Sequence, residues 1–324
     1  MHILSAMTMR ALPAVLLLPW ICRAQGTPAP PQLLPDSLLA SQLAAIVRDT
    51  GLDSTFMTGE DGPEQISLAV IDLGTRPARL GGVHPGNFIY PASVYKMYVG
   101  ATVLGEIAGG THALREPYVV RAPNDVDRER EIPDDPRPLL REGDTVTVNY
   151  LLDLMLTRSD NSAANCLIDI AGREKINALI DGYGWRGSEV TRKFLRRKFE
   201  PPPYDTIRGT STCALHAAEF MYRIYTGTLV SPWVSRQMMT FLGRQLDTSK
   251  LAAGLPRDAM FYHKTGWYAD WTNDVGIVEG RARYIIACLV PEAEERAGPK
   301  MRRLSERIYR LMLDRKAGAE GQSR

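Results

Sequence analysis

Tyr90-Pro-Ala-Ser-Val-Tyr-Lys96, continued by Met97-Tyr-Val-Gly-Ala-Thr-Val-Leu104, is the stretch on which the fold turns. Pro91 stops any helix arriving from the N-terminal side, and the apolar density after Lys96 is that of a buried helix, so a helix is expected from Ser93 onward. Ser93 and Lys96, three positions apart, then share one face. A serine at a helix N-terminus also stands beside backbone N–H groups that the helix leaves unpaired, a place suited to an oxyanion. Alone, the pair says little. Ser-x-x-Lys arises by chance on the order of once in a chain of this size, and a capping serine followed by an exposed lysine explains it equally well.

Two downstream tripeptides change the balance: Ser159-Asp160-Asn161 and Lys264-Thr265-Gly266. Each arises by chance in roughly one such chain in ten or fewer, and the ordered trio reduces coincidence to a small remainder. The residue types also make chemical sense together. A serine hydroxyl is a weak nucleophile without a base. A lysine becomes that base when burial and a second cation lower its pKa.

The chain of 324 residues is 44% hydrophobic and 23% charged, with net charge +2, which suits a globular protein with a full core and points to no polyanionic partner. The basic run Arg192-Lys193 and Arg196-Arg197-Lys198 holds one aromatic, Phe194, and precedes Pro201-Pro-Pro203, so it reads as a solvated loop and no nucleic acid is expected. At the N-terminus, Arg10, the apolar run Ala11–Ile21 and Cys22-Arg-Ala24 have the layout of a signal peptide over residues 1–24. Export to the periplasm or beyond is expected, with no stable membrane insertion. Lipidation at Cys22 is disfavoured because Ile21 is bulkier than the residue that normally precedes a lipidated cysteine. Removing the signal leaves Cys166, Cys213 and Cys288, an odd number, so at least one stays unpaired. There is no Cys-x-x-Cys or His-Glu-x-x-His, the five histidines are scattered, and neither a metal nor a cofactor is implied.

Residues 25–36 are Pro-rich and read as an unstructured leader. A helix is expected from Ser37 to Gly51, strands over 65–72 and 78–83, and helices over 147–158, 163–170, 174–183, 213–225 and 231–245. Residues 121–144, charged and Pro-rich, read as a surface excursion. Strands follow at 259–265, 272–278 and 283–290, then an amphipathic helix carrying Met301, Leu304, Ile308, Leu311 and Met312 on one face. The class is α+β. A five-stranded antiparallel sheet is flanked by N- and C-terminal helices, with an all-helical lobe inserted. The catalytic domain spans 37–318, as an α/β lobe (37–92 with 249–318) and a helical lobe (93–248), and 319–324 form a tail. All three motifs then fall on the seam between the lobes.

On these residues the chain resembles the class A β-lactamase-type serine hydrolases of the penicillin-recognising superfamily, from about Ser37 to Arg315. Ser159-Asp-Asn-Ser-Ala-Ala-Asn165, Leu251-Ala-Ala-Gly-Leu-Pro256 and Thr272-Asn-Asp-Val275 are also similar to that family. The resemblance implies Ser93 as nucleophile, Lys96 as its base, Ser159 as proton relay, and Asn161, Lys264, Thr265, Gly266 and Trp267 as substrate-binding positions. The oxyanion hole would come from the backbone N–H groups of Ser93 and Trp267. Phe199-Glu200-Pro201 resembles the context of the family's deacylating glutamate, which makes Glu200 either that base or an exposed loop acid. Anchoring Val190-Thr-Arg192 and Arg208-Gly-Thr210 without gaps instead puts Arg196 or Arg197 at the glutamate position. Pro202, Pro203, Tyr204 and Gly209 also depart from the pattern.

The first reading is therefore a β-lactamase, acylated on Ser93 and acting on a small β-lactam. The second is a D,D-peptidase or other penicillin-binding hydrolase with slow deacylation, acting on a peptidoglycan stem peptide. A third is a β-lactam or peptidoglycan sensor that stays acylated. A monomer is expected in each case.

Overall fold

Ser67-Leu-Ala-Val-Ile-Asp72 is buried at every position, and a strand with no wet face must lie inside a sheet covered on both sides. The computed structural model describes residues 29–57, 62–130, 132, 135–200, 202 and 206–322. The expected signal segment 1–24 lies outside the described residues. Six strands form the main sheet: β1 Leu33–Pro35, β2 Ser67–Asp72, β3 Ala78–Val83, β4 Met260–Tyr268, β5 Trp271–Glu279 and β6 Arg283–Val290. Their order is β1-β3-β2-β6-β5-β4. Five are antiparallel neighbours, as expected. The sixth, β1, pairs in parallel with β3, Leu33 opposite Ala78. The leader is thus ordered at its end, where three residues take up a sheet edge; so short a strand carries too little alternation to be read locally.

The period-2 alternation of the strands sorts their side chains into two cores. Ala69, Ile71, Val275, Ile277, Ile285, Ala287 and Leu289 face the helical lobe. Leu68, Val70, Val278, Tyr284, Ile286, Cys288 and Val290 face the two terminal helices, α1 (Ser37–Asp49) and the last helix (Glu294–Gln322). That last helix brings in Met301, Leu304, Ile308 and Met312 and runs on to Gln322, past the boundary expected at 318. Asp36 caps α1, accepting from the Leu39 N–H at 2.8 Å. Arg315 then ties Asp36 to Asp72, at 2.6 and 2.9 Å, fastening the last helix to the start of α1 and to the sheet.

The helical lobe is built around α2 (Lys96–Ala108), whose first nine residues are all buried. Such a helix is apolar on every side because neighbours surround it. These include α3 (Val148–Thr157), capped by Thr147 through the Tyr150 N–H at 3.2 Å, and α4 (Asn161–Ala171). α5 (Arg173–Gly182), α6 (Ala214–Tyr225) and α7 (Pro232–Leu242) pack in the same lobe, which also holds an antiparallel ribbon of Pro117–Val119 with Thr145–Thr147 and so is not all-helical as expected. Cys166, Cys213 and Cys288 are all free and buried. Among the described residues no helix is long and apolar enough to cross a membrane.

One close approach sets the packing of the last helix. Gly254, ending the short turn Leu251–Gly254, sits so near that helix that a Cβ would meet the Arg302 carbonyl oxygen at 2.2 Å and Ser305 Cβ at 2.8 Å. Gly254→Ala is expected to destabilise the protein by about 2–3 kcal/mol through overpacking, lowering Tm by roughly 4–8 °C. Calorimetry on the two proteins checks this, and equal melting temperatures contradict it.

Candidate active site

The turn before α2 is a 3-10 helix, Ala92–Tyr95, and the Lys96 N–H bonds back to the Ser93 carbonyl. In a 3-10 turn residues i and i+3 eclipse, so Ser93 and Lys96 lie on one face of this turn. Ala92 adopts φ +45°, which bends the chain into this turn. Ser93 lines a cleft of about 1620 Å³ between the lobes, while Lys96 lies fully buried beneath it.

Each residue of Ser159-Asp160-Asn161 has a separate task. Asp160 is the N-cap of α4: one carboxylate oxygen accepts from the Ala163 N–H at 2.7 Å, and the other pairs with buried Arg158 at 2.9 Å. That anchorage holds Ser159 at φ +60°, a left-handed conformation costly for a residue with a Cβ. Ser159 Oγ then lies 3.2 Å from Lys96 Nζ and 3.0 Å from Lys264 Nζ. Asn161 Oδ1 accepts from Lys96 Nζ at 2.8 Å, and the Ser159 carbonyl does so at 2.6 Å.

Lys264 arrives on β4, the free edge of the sheet. Two residues on, Gly266 faces the same way, and a Cβ there would meet Pro91 O at 2.6 Å, Ser93 N at 2.7 Å and Val94 N at 2.8 Å. The glycine lets the strand lie flush against the nucleophile's turn. From β5, Asn273 Nδ2 donates to the Tyr90 carbonyl at 3.2 Å and holds the same turn from below. Thr265 lines the cleft, and Trp267 stands at its mouth, 52% exposed.

The electrostatics follow from burial. Lys96 is held well below the ordinary lysine range, first by desolvation and next by the charge of Lys264. Lys264 comes down to about 7, chiefly through desolvation, with Asp247 and Asp274 pulling the other way. A neutral amine beside a serine hydroxyl, with a second amine across a bridging hydroxyl, can take a proton from the nucleophile and return one to a leaving group.

The structure brings together Ser93, Lys96, Ser159, Asn161, Lys264, Thr265, Gly266 and Trp267. It does not bring Glu200 to them. Glu200 is 4% exposed, so it is no surface acid, and it does not line the cleft. One oxygen accepts from the Lys193 N–H at 2.7 Å and the other pairs with Arg173 at 2.9 Å. Its carboxylate braces the loop it belongs to. Arg196 and Arg197 are not against Lys96 either. Phe194 is, with its ring centroid 4.2 Å from Lys96 Nζ.

Two groups in the supposed surface excursion also belong to the site. Asp127 is buried, accepting from the Asn161 N–H at 2.6 Å and from Asn161 Nδ2 at 3.0 Å. Arg130 donates to Asp127 Oδ2 and to the Ser159 carbonyl, each at 3.4 Å. No local signal marks them, because the partners that justify burying Asp127 lie more than thirty residues away. Among the described residues no cluster of His, Cys, Asp and Glu could hold a metal.

Residues 48–312 match the model of the beta-lactamase enzyme family. Beta-lactamase AST-1 of Nocardia asteroides is 29% identical over 173 residues, 52% of this chain and 55% of that protein, so the chain matches about half the length of this curated relative. Among solved structures, PBP-A superposes with a TM-score of 0.68 at 21% identity, over 87% of this chain and 98% of its own. A beta-lactamase from Sphaerobacter thermophilus gives 0.69 at 19% identity, over 84% and 97%. At such identities the likeness is one of fold.

The paired amines make a direct prediction. In a lysine-selective NMR titration, the Lys264 resonance, assigned by its loss in Lys264→Met, is expected to titrate near pH 7 rather than above 10. A Lys264 that stays protonated to pH 10 contradicts the electrostatics described here.

Proposed function

The chain belongs to the beta-lactamase enzyme family, and on that premise we propose that it is a serine acyl hydrolase that opens β-lactams through an ester on Ser93. The observation that carries the reading is the bridge Lys96–Ser159–Lys264 lying behind a nucleophile that faces an open cleft. Ser93 Oγ attacks the lactam carbonyl carbon while Lys96 takes its proton. The C–N bond breaks as the Ser159 hydroxyl passes a proton to the departing nitrogen. The N–H groups of Ser93 and Trp267 receive the oxyanion, each such donor being worth about 3 kcal/mol. Protonated Lys264 and the Thr265 hydroxyl hold the substrate carboxylate. Asn161 Oδ1 is engaged by Lys96 and one hydrogen of its Nδ2 by Asp127, which leaves the second hydrogen for the substrate's amide side chain.

A second reading has an observation in its favour. The carboxylate that sequence context offered for deacylation, Glu200, is tied to Arg173 and the Lys193 backbone. A penicillin-binding hydrolase or D,D-peptidase, with acylation faster than release and a peptidoglycan stem peptide as substrate, fits that placement. Both readings take the mature chain to be an exported monomer. A mature N-terminus after Ala24 and a monomeric elution volume are the checks on that.

Purified protein mixed with a chromogenic cephalosporin and a fluorescent penicillin separates the readings by turnover and by intact mass. Ser93→Ala is expected to abolish both adduct and turnover, and a variant that keeps the wild-type rate refutes the assignment. The pH dependence has a definite sign. Lys264 carries its charge below about 7 and loses it above. The second-order rate of acylation by a carboxylate-bearing β-lactam should therefore fall as pH rises through about 7. The same β-lactam with its carboxylate esterified should lack that falling limb.

A further inference from the structure

Release of an acyl group from Ser93 needs a water molecule at the ester carbon and a group to take its proton. The water's oxygen bonds to the carbonyl carbon, the C–Oγ bond breaks, Oγ regains a proton and a carboxylic acid leaves. Three buried carboxylates near the site, Asp127, Asp160 and Glu200, already have partners. Asp127 holds the Asn161 N–H and Nδ2, Asp160 holds the Ala163 N–H and Arg158, and Glu200 holds Arg173 and the Lys193 N–H.

An aromatic ring lies against Lys96 in the wall of the cleft. Phe194 lines the cleft with its centroid 4.2 Å from Lys96 Nζ. The ring stacks on Tyr95, centroids 4.9 Å apart and planes 5° from parallel. Its backbone is clamped at both polar groups by one carboxamide: the Phe194 N–H donates to Asn165 Oδ1 at 2.8 Å, and Asn165 Nδ2 donates to the Phe194 carbonyl at 3.4 Å. Tyr95 reaches back from the other side, its hydroxyl donating to the Arg192 carbonyl at 3.2 Å. A side chain held from α4, from the nucleophile's own turn and by its ring contacts is not a loop residue that happens to fall inward.

We propose that Phe194 is a water-excluding plug over Lys96 that prolongs the life of the Ser93 acyl-enzyme. The proposal rests on the acyl-enzyme chemistry given above and deepens it. The plug leaves acylation intact, because that step uses a proton path already in place through Ser159. It opposes hydrolysis, because a phenyl ring neither accepts a proton nor orders a water. Acylation and release are thereby controlled by different residues, and the protein behaves as a slowly released β-lactam trap.

The test is a pulse of fluorescent penicillin on the full chain, removal of excess reagent, and intact-mass spectra over time, with acylation timed separately and folding followed by thermal melting. Wild type and Phe194→Leu, which keeps an apolar plug, are expected to hold the adduct. Phe194→Ala should shorten its half-life, and Phe194→Glu, which offers a base, should shorten it by about 100-fold, the lower range for general base catalysis. Should the glutamate variant fail to fold, the alanine–leucine pair still decides. Equal adduct lifetimes in wild type, leucine and alanine variants overturn the proposal. So does wild-type turnover with no adduct accumulating, although that result leaves the Ser93 mechanism standing. A wild type that forms neither adduct nor product, or a Ser93→Ala variant that still labels, instead removes the mechanism on which the proposal rests.

Discussion

Two lysine side chains, each with no exposed surface, reach one serine hydroxyl from opposite lobes of the molecule. Burying an ammonium group is expensive unless it is paired or gives up its proton. Here the depressed pKa values are the molecule's answer, and the proton that neither amine holds firmly becomes available for chemistry. Much of the surrounding architecture serves to keep these three groups in place. Asp160 caps α4 and strains Ser159 into position, Asn161 fixes Lys96, and Gly266 lets β4 lie against the nucleophile's turn.

The lobes depend on each other for this. The sheet alone could not place Lys264, because β4 is an edge strand with no further strand to pin it; the Ser93 turn closes that edge instead. The helical lobe alone would lower Lys96 less, since the charge of Lys264 adds to the effect of burial. The site is therefore a property of the seam. It is supported from one side by the core under α2 and from the other by the terminal helices, fastened through Arg315.

The loop after α5 shows how the same seam can be altered without touching the three motifs. Gly209 offers no carboxylate to close the loop, and Arg192 Nε is buried with no hydrogen-bond partner among the described residues. Asn165 and Glu200 fasten the loop instead, and they leave a phenyl ring where proton transfer would need a polar group. The three motifs sit on helices and a strand, and Phe194 and Glu200 sit on the loop after α5.

Periodicity and punctuation in the sequence determined five strands of the sheet, the helices and the α+β class, while the three motifs and the resemblance they carry implied the convergence of Ser93, Lys96, Ser159, Asn161 and Lys264. The reason is that those signals are local: alternation along Arg283–Val290, a cap at Thr147, apolar density after Lys96. The tertiary structure alone decided that Glu200 pairs with Arg173, that Phe194 lies against Lys96, that Asp127 is buried against Asn161, and that Leu33–Pro35 joins the sheet. Each of those outcomes is settled by a partner distant in the chain, and neither composition nor spacing carries the energy of a contact that exists only after the lobes have closed.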